Sequence, residues 1–256
     1  MTKGEREIRV EEMAIVVVSG IVAGTINTMV GGGSLITLPV LIFLGLSPAV
    51  ANGTNRLSLV GQTATASLAY YRTGIVRPHL AVQLAIPALV ASVLGALVAT
   101  DLSAAALRKV IGLLLPAALI VVFAEPHKRL SRLGGLSPRK QLAIAHVVFF
   151  GLGFYGGFLG AGIGVLIMTA LVVIYGMTLL ETNGVKTIVN LLLSCASLVV
   201  FWHAGAIDWR LGVPLLLANS VGGVAGAHLA VRGGEKGIRL ALVVVVAVSS
   251  VKLLLG

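Results

Sequence analysis

The amino-acid sequence predicts an all-α polytopic membrane protein built from two inverted-topology repeats. Three observations predict it. Of the residues, 57% are hydrophobic and 11% are charged, and mean hydropathy is +1.04; soluble domains are about half apolar and about a quarter charged. The apolar residues come in long runs rather than one-sided stripes, so the outer surface must face lipid and not water. Finally, glycines recur along the chain at a fixed offset, which is a structural signal in itself.

A spanning helix needs about 20 apolar residues. The runs cover 13–30, 34–46, 53–71, 79–99 and 105–123, then, after a polar break at 125–140, 142–158, 165–176, 184–203, 211–230 and 238–255. This makes about 8–10 helical membrane segments, according to how the short runs 34–46 and 165–176 are counted. Each short run is too brief to cross a hydrocarbon core of about 30 Å at about 1.5 Å per residue. Each also follows a glycine cluster, Gly31-Gly32-Gly33 and Gly160-Ala161-Gly162-Ile163-Gly164. Broken backbone at membrane depth is tolerated only inside protein or along a wet cavity. The two short runs are therefore either re-entrant hairpins or parts of discontinuous helices.

The chain repeats itself at an offset of 131 residues. Gly20 falls on Gly151, Gly31 on Gly162, Gly33 on Gly164, Gly45 on Gly176, Gly53 on Gly184, Gly74 on Gly205 and Gly95 on Gly226; Asn52 falls on Asn183 and Arg108 on Arg239. The expected organisation is one membrane domain, 1–256, with a first repeat at 10–124, a basic loop at 125–140 and a second repeat at 141–256.

The net charge of +10 lies between the apolar runs, which excludes a nucleic-acid surface and fits the positive-inside bias of membrane loops. The break at 125–140 holds His127, Lys128, Arg129, Arg132, Arg139 and Lys140 against Glu125 alone, so it is expected in the cytoplasm. The turns carrying Arg72 and Arg77, and Arg232 and Lys236, then fall on the same side, and both termini fall outside. Each half makes an odd number of crossings, or an odd number plus a re-entrant hairpin, so the second half must be upside down. Inverted repeats of this kind place a solute site at the repeat interface, near the midplane. The N-terminal head, with Glu5, Glu7, Glu11 and Glu12, lacks the basic start of a secretory signal and reads as part of the mature protein. The lone Cys195 excludes an internal disulfide.

Two constellations carry chemistry. The glycine clusters free backbone N–H groups at helix starts, which suits an anion, through Gly31, Gly32, Gly33 and Ser34 in one half and Gly162 and Gly164 in the other. The plain alternative is close helix packing by small residues. Neither cluster has the ending or spacing of a nucleotide loop, so no cofactor is expected. The second constellation is Asn52-Gly53-Thr54-Asn55-Arg56, mirrored by Thr182-Asn183-Gly184-Val185-Lys186. One cation per half among Asn52, Asn55 and Asn183 suggests a cationic, amide-rich cavity for a small anion, because an intramembrane charge is costly. The alternative is snorkelling, since each cation lies about one turn into its apolar run. Weaker signals are Gln62 and Asn190, which could bond across helices, Thr63 and Thr65 as lining, and Ser194, Ser197 and Asn219 as interhelical bonds. His228 reads as a hydrogen-bonded or interfacial histidine, with a proton relay as the alternative. Asp101, Glu181 and Asp208 sit at predicted run ends and read as solvated.

Over nearly its whole length the chain resembles the TauE/SafE family of sulfite exporters. The resemblance is carried by Gly31-Gly32-Gly33-Ser34-Leu35-Ile36-Thr37-Leu38-Pro39 and Gly53-Thr54-Asn55-Arg56, with Gly153-Phe154-Tyr155-Gly156-Gly157-Phe158-Leu159-Gly160 and Ile207-Asp208-Trp209 in the second half. It implies export of small sulfur-containing anions such as sulfite or sulfonates, and a multi-pass place in the cell inner membrane. Many relatives carry an acidic residue where Asn27 and Gly156 stand here, which makes Asn27 a candidate site residue and bears on whether protons are the coupling ion. The expected partners are therefore a small anionic substrate, the lipid bilayer and a coupling ion, proton or other, with room for a homo-oligomer. Other function classes weigh less. A carrier for another solute fits the architecture equally. An intramembrane enzyme would need an activated nucleophile, and Ser34 has no evident partner. A structural subunit would explain the glycines but not the paired amides and cations.

Overall fold

The computed structural model describes residues 9–124 and 137–232. The run at 238–255, most of the basic loop at 125–140, and Lys236 lie outside the described residues. Among the described residues there are nine helices and no strands. They are α1 Val10–Met29, α2 Ser34–Phe43, α3 Pro48–Tyr71, α4 Pro78–Asp101, α5 Ala104–Ala124, α6 Pro138–Phe158, α7 Ile163–Tyr175, α8 Leu179–His203 and α9 Trp209–Val231.

Five of these, α1, α4, α6, α8 and α9, are long and apolar enough to span a membrane. Many of their large side chains point outward, among them Val18, Ile86, Val147, Leu217 and Val221, as a lipid-facing surface requires. α3 is equally long, with 24 residues, but it is less apolar because it turns Asn52, Asn55, Arg56, Ser58, Gln62 and Thr63 inward. Helices α3 and α8 also start about one turn before their apolar runs, because their first turns are polar. Ser47 caps α3 ahead of Pro48, and a capping box between Thr178 and Glu181 opens α8. That earlier start puts Arg56 and Lys186 about two turns inside their helices rather than one.

Helices α2 and α7 have 10 and 13 residues and are too short to cross. The chain doubles back to form α2: Gly31 has φ 100° just after α1, and Gly33 lies against Ala23 and Asn27 of α1. The re-entrant form, and not a continued helix, is thus adopted. Gly160 and Gly162 make the matching reversal with φ 69° and 73°. Left-handed backbone at these points is available cheaply only to glycine.

The packing pairs exchange between halves. α1 packs on α9 and α4 on α6; α3 packs on α9 and α4 on α8; α3 and α8 meet each other. Both crossings, α1 with α9 and α4 with α6, are backbone-close. A Cβ on Gly24 would strike the Asn219 carbonyl, and one on Gly157 would strike that of Ser92. Such small-residue contacts supply the dispersion that drives association where lipid tails compete for apolar surface. Contact order along these pairs gives helix direction. Gly20 meets Ala218 and Gly226 meets Thr25, so α1 and α9 run the same way; Ala88 meets Gly153 and Ser92 meets Gly157, so α4 and α6 do too. Gly53 near the start of α3 meets Phe201 near the end of α8, while Val76 just beyond α3 meets Gly184 near the start of α8, so these two run oppositely. Each second-half helix among these runs against its first-half counterpart, which is consistent with the inverted repeat. α5 lies against α2, α3 and α7 through Leu107, Ile111, Leu115 and Ala118, one stripe at helical spacing.

Candidate functional site

Each of α1 and α6 ends inside the protein, where its last carbonyls lack partners in their own helix. The other half supplies them. Asn52 Nδ2 donates to Phe158 O at 2.7 Å and Arg56 Nη2 to Gly157 O at 3.4 Å, both at the end of α6. Asn183 Nδ2 donates to Met29 O at 3.1 Å, and Lys186 Nζ to Thr28 O at 3.1 Å and Asn27 O at 3.3 Å, all at the end of α1. A cation at a helix C-terminus is favoured by the dipole as well as by the bond. Neither cation snorkels: Arg56 is fully buried and Lys186 is 2% exposed.

The two ends differ in what is left over. Lys186 gives its third bond to Asn183 Oδ1 at 2.6 Å, which completes the ammonium's three donors. Arg56 keeps Nε and Nη1 without a partner, and Asn55 keeps Nδ2 without one. The guanidinium lies close against Gly160, where a Cβ would stand 2.8 Å from both Nη1 and Nη2. Tyr155 donates to Ala161 O at 2.6 Å and so ties down the turn that holds Gly160. A buried, charged fork with unused donors is costly unless something compensates it.

A chain of buried side-chain bonds joins the two ends. Thr37 donates to Asn55 Oδ1 at 2.6 Å, and lies 3.4 Å from Gly33 O. Gly33 N donates to Asn27 Oδ1 at 3.2 Å, Asn27 Nδ2 to Gln62 Oε1 at 2.7 Å, and Gln62 Nε2 to Thr28 Oγ1 at 2.7 Å. Thr28 O accepts from Lys186 and, at 3.3 Å, from Tyr70. At the offset of the repeat, Thr37, Asn27, Thr28, Gln62 and Tyr70 become Met168, Phe158, Leu159, Leu193 and Phe201. The residues that link the two ends therefore all belong to the first half.

The candidate residues fall into three groups. Asn52 and Arg56 come together at the end of α6, and Asn55 bonds Thr37 of α2. Asn27 and Gly33 lie in the connecting chain, and Asn183 and Lys186 stand at its far end, so Arg56 and Lys186 bond the ends of different helices. The glycine clusters meet backbone to backbone, with Gly31 against Gly164 at distances a Cβ could not tolerate. The close-packing role is thus realised, and the amide of Gly33 is already engaged by Asn27. Gly32 and Ser34 lie buried at the start of α2, Gly162 is the left-handed residue before α7, and Asn190 is buried on α8 with Oδ1 unpartnered. A cavity of about 310 Å³ between the last turns of α3 and α9 is lined by Thr65, Arg72, His228 and Arg232, so it takes in the weaker signals Thr65 and His228 but neither Arg56 nor Lys186. Among the weaker signals, Asn219 bonds across to Ser58 at 2.8 Å, Asp208 caps α9, and His228 bonds within its own helix. Sequence reasoning did not single out Thr37 and Thr28 as site residues; only the asymmetry between Thr37 and Met168, and between Thr28 and Leu159, could have flagged them.

Multiple apolar helices long enough to span a membrane, two short helices behind glycine reversals and a buried polar core together fit a polytopic membrane transporter. The description Sulfite exporter TauE/SafE matches residues 16–253, and the chain belongs to that family. It is similar to a probable membrane transporter protein of Haemophilus influenzae, 30% identical over 93% of this chain and 92% of that one. It is also similar to the probable membrane transporter protein YfcA of Escherichia coli, 29% identical over 91% and 86%, and to YjnA of Bacillus subtilis, 25% identical over 93% and 98%. No solved structure matches.

Proposed function

We propose that this transporter exports a small sulfur-containing anion, sulfite or a sulfonate or a related compound, and that Arg56 and Asn55 are its principal ligands. The observation that carries the reading is the fully buried guanidinium with Nε and Nη1 unpartnered, followed along the same helix by Asn55, whose buried Nδ2 is also unpartnered. Unused donors on a fixed, buried positive charge suit an oxyanion that has shed its water, and a planar fork meets two oxygens at once. Sulfur enters from the family description alone. In this reading Asn52 and Gly160 hold the guanidinium's surroundings, while Asn27, Gly33, Thr37 and Gln62 keep Asn55 oriented. Asn183 and Lys186 hold the end of α1, and Gly31 and Gly164 bring the halves into contact. The protein sits in the cell inner membrane with the 125–140 loop in the cytoplasm and both termini outside. Asn27 and Gly156 offer no carboxylate for a proton, so coupling uses another group or another ion.

The test is uptake of labelled sulfite, ethanesulfonate and chloride into vesicles reconstituted with the full chain. Arg56→Gln should lower sulfite or sulfonate flux by about 100-fold, since hydrogen bonds to a charged group contribute about 1.5–3 kcal/mol each. Wild-type flux in Arg56→Gln would refute the assignment; flux of chloride alone would refute the substrate class.

A further inference from the structure

The internal repeat offers its own comparison for one buried atom. In the second half, Asn183 donates to the end of α1 and its Oδ1 accepts from Lys186 Nζ at 2.6 Å. In the first half, Asn52 donates to the end of α6 at 2.7 Å, which fixes the amide orientation, because turning it over would set oxygen against oxygen. Its Oδ1 is fully buried and has no partner. The residue at Lys186's place is Asn55, one turn on, whose Nδ2 also lacks a partner and whose Oδ1 is held by Thr37. Arg56, on the same face of α3 as Asn52, bonds the carbonyl next to the one Asn52 bonds. An acceptor with no donor thus stands in the same cluster as an anion-binding fork. At the mirrored position an N–H donor fills the corresponding acceptor.

We infer that the Arg56 cluster selects anions that carry a hydrogen-bond donor of their own, an O–H or N–H group that meets Asn52 Oδ1 where the Lys186 ammonium meets Asn183 Oδ1. This rests on Arg56 as the anion ligand and adds the class of anion it takes. The physical reason is asymmetric. An anion without a donor leaves a buried acceptor unsatisfied, whereas a hydroxylated or aminated one satisfies it, and sites built around such a pair reject the analogue lacking the group.

The experiment measures equilibrium binding to the purified full chain for two matched pairs: ethanesulfonate against 2-hydroxyethanesulfonate, and propanesulfonate against 3-hydroxypropanesulfonate. The expected result is that at least one hydroxylated member binds about tenfold or more tightly than its parent, a modest share of what such sites achieve. Asn52→Ala should bring that ratio close to one, with folding checked by thermal unfolding. If both members of each pair bind the wild type equally, the inference fails while the anion site stands. If no sulfonate binds while sulfite does, the inference fails and the anion site stands; if sulfite does not bind either, the Arg56 reading fails with it. A ratio that persists in Asn52→Ala also overturns the inference, and if that variant does not fold, the wild-type ratio decides.

Discussion

The Arg56 and Lys186 ends of the molecule occupy near-equivalent places in a repeated chain and have come to differ in kind. Both cations enter from the second turn of a long helix, and both reach the last carbonyls of the opposite half's first helix. Lys186 spends all its donors there, and an ammonium is suited to that, being a compact charge with three donors. Arg56 makes one long bond at 3.4 Å and keeps the rest of its fork. Duplication supplies a frame with two helix ends to cap. One cap is complete, and the other keeps donors in reserve. Charge count alone would not separate them; donor accounting does.

Exchanging the two neutralisations sharpens this difference most. Arg56→Gln should abolish most transport while leaving thermal stability unchanged or higher, because it removes a buried charge that is poorly compensated. Lys186→Gln should lower stability by about 3 kcal/mol, because it leaves Asn183 Oδ1 and two carbonyls at the end of α1 without a donor. Parallel thermal unfolding and flux measurements check both. Equal losses of stability in the two variants would break the contrast.

The next effect is smaller and concerns the contact between the halves. Gly164→Ala should destabilise by about 1–3 kcal/mol, since the added methyl meets the Gly31 backbone and cannot be absorbed by a side-chain rotation. Gly151→Ala, where nothing lies within reach of a Cβ, serves as the control and should be neutral. Next comes the polar chain. Gln62→Leu copies the second half's Leu193 into the first and should cost about 1–2 kcal/mol, as Asn27 Nδ2 and Thr28 Oγ1 lose their partner. Rescue by the further change Asn27→Leu would show that the cost lies in that pair, measured as a double-mutant cycle.

The smallest effect lies at the loops. Arg77 bonds Glu181 at 2.7 Å across the halves, with Arg77 more than half exposed. The matching loop is fastened differently, by Asp208 N donating to Thr54 Oγ1 at 2.9 Å. Arg77→Gln should change stability by less than about 1 kcal/mol, with the loss shrinking further in high salt, as exposed ion pairs do. A large salt-independent loss would place that pair in the same rank as Lys186.

Much of this was legible in the residues. Apolar runs, the fixed glycine offset and the shortness of 34–46 and 165–176 led to the helices, the duplication and the paired reversals. The starts of α3 and α8 were misplaced by a turn, because Ser47, Pro48, Thr178 and Glu181 announce a helix by capping chemistry and not by hydropathy. That turn mattered. It made Arg56 and Lys186 look close enough to the interface to snorkel, when both are buried.

Composition and periodicity by themselves determined that this chain lives in a bilayer, that it is doubled, and that each half brings one cation and a cluster of amides to the start of a long helix. Those are properties of transfer free energy and local backbone preference, and they act residue by residue. Which of the two cations would be saturated was decided only by tertiary structure. It depends on how many carbonyls the end of the opposite helix presents within reach, and on whether the neighbouring asparagine turns its oxygen toward the charge. Asn183 does so for Lys186, while the oxygen of its counterpart Asn52 has no partner and that of Asn55 accepts from Thr37. Hydrogen-bond satisfaction is set by distances and angles between segments far apart in the chain, and no local pattern encodes it.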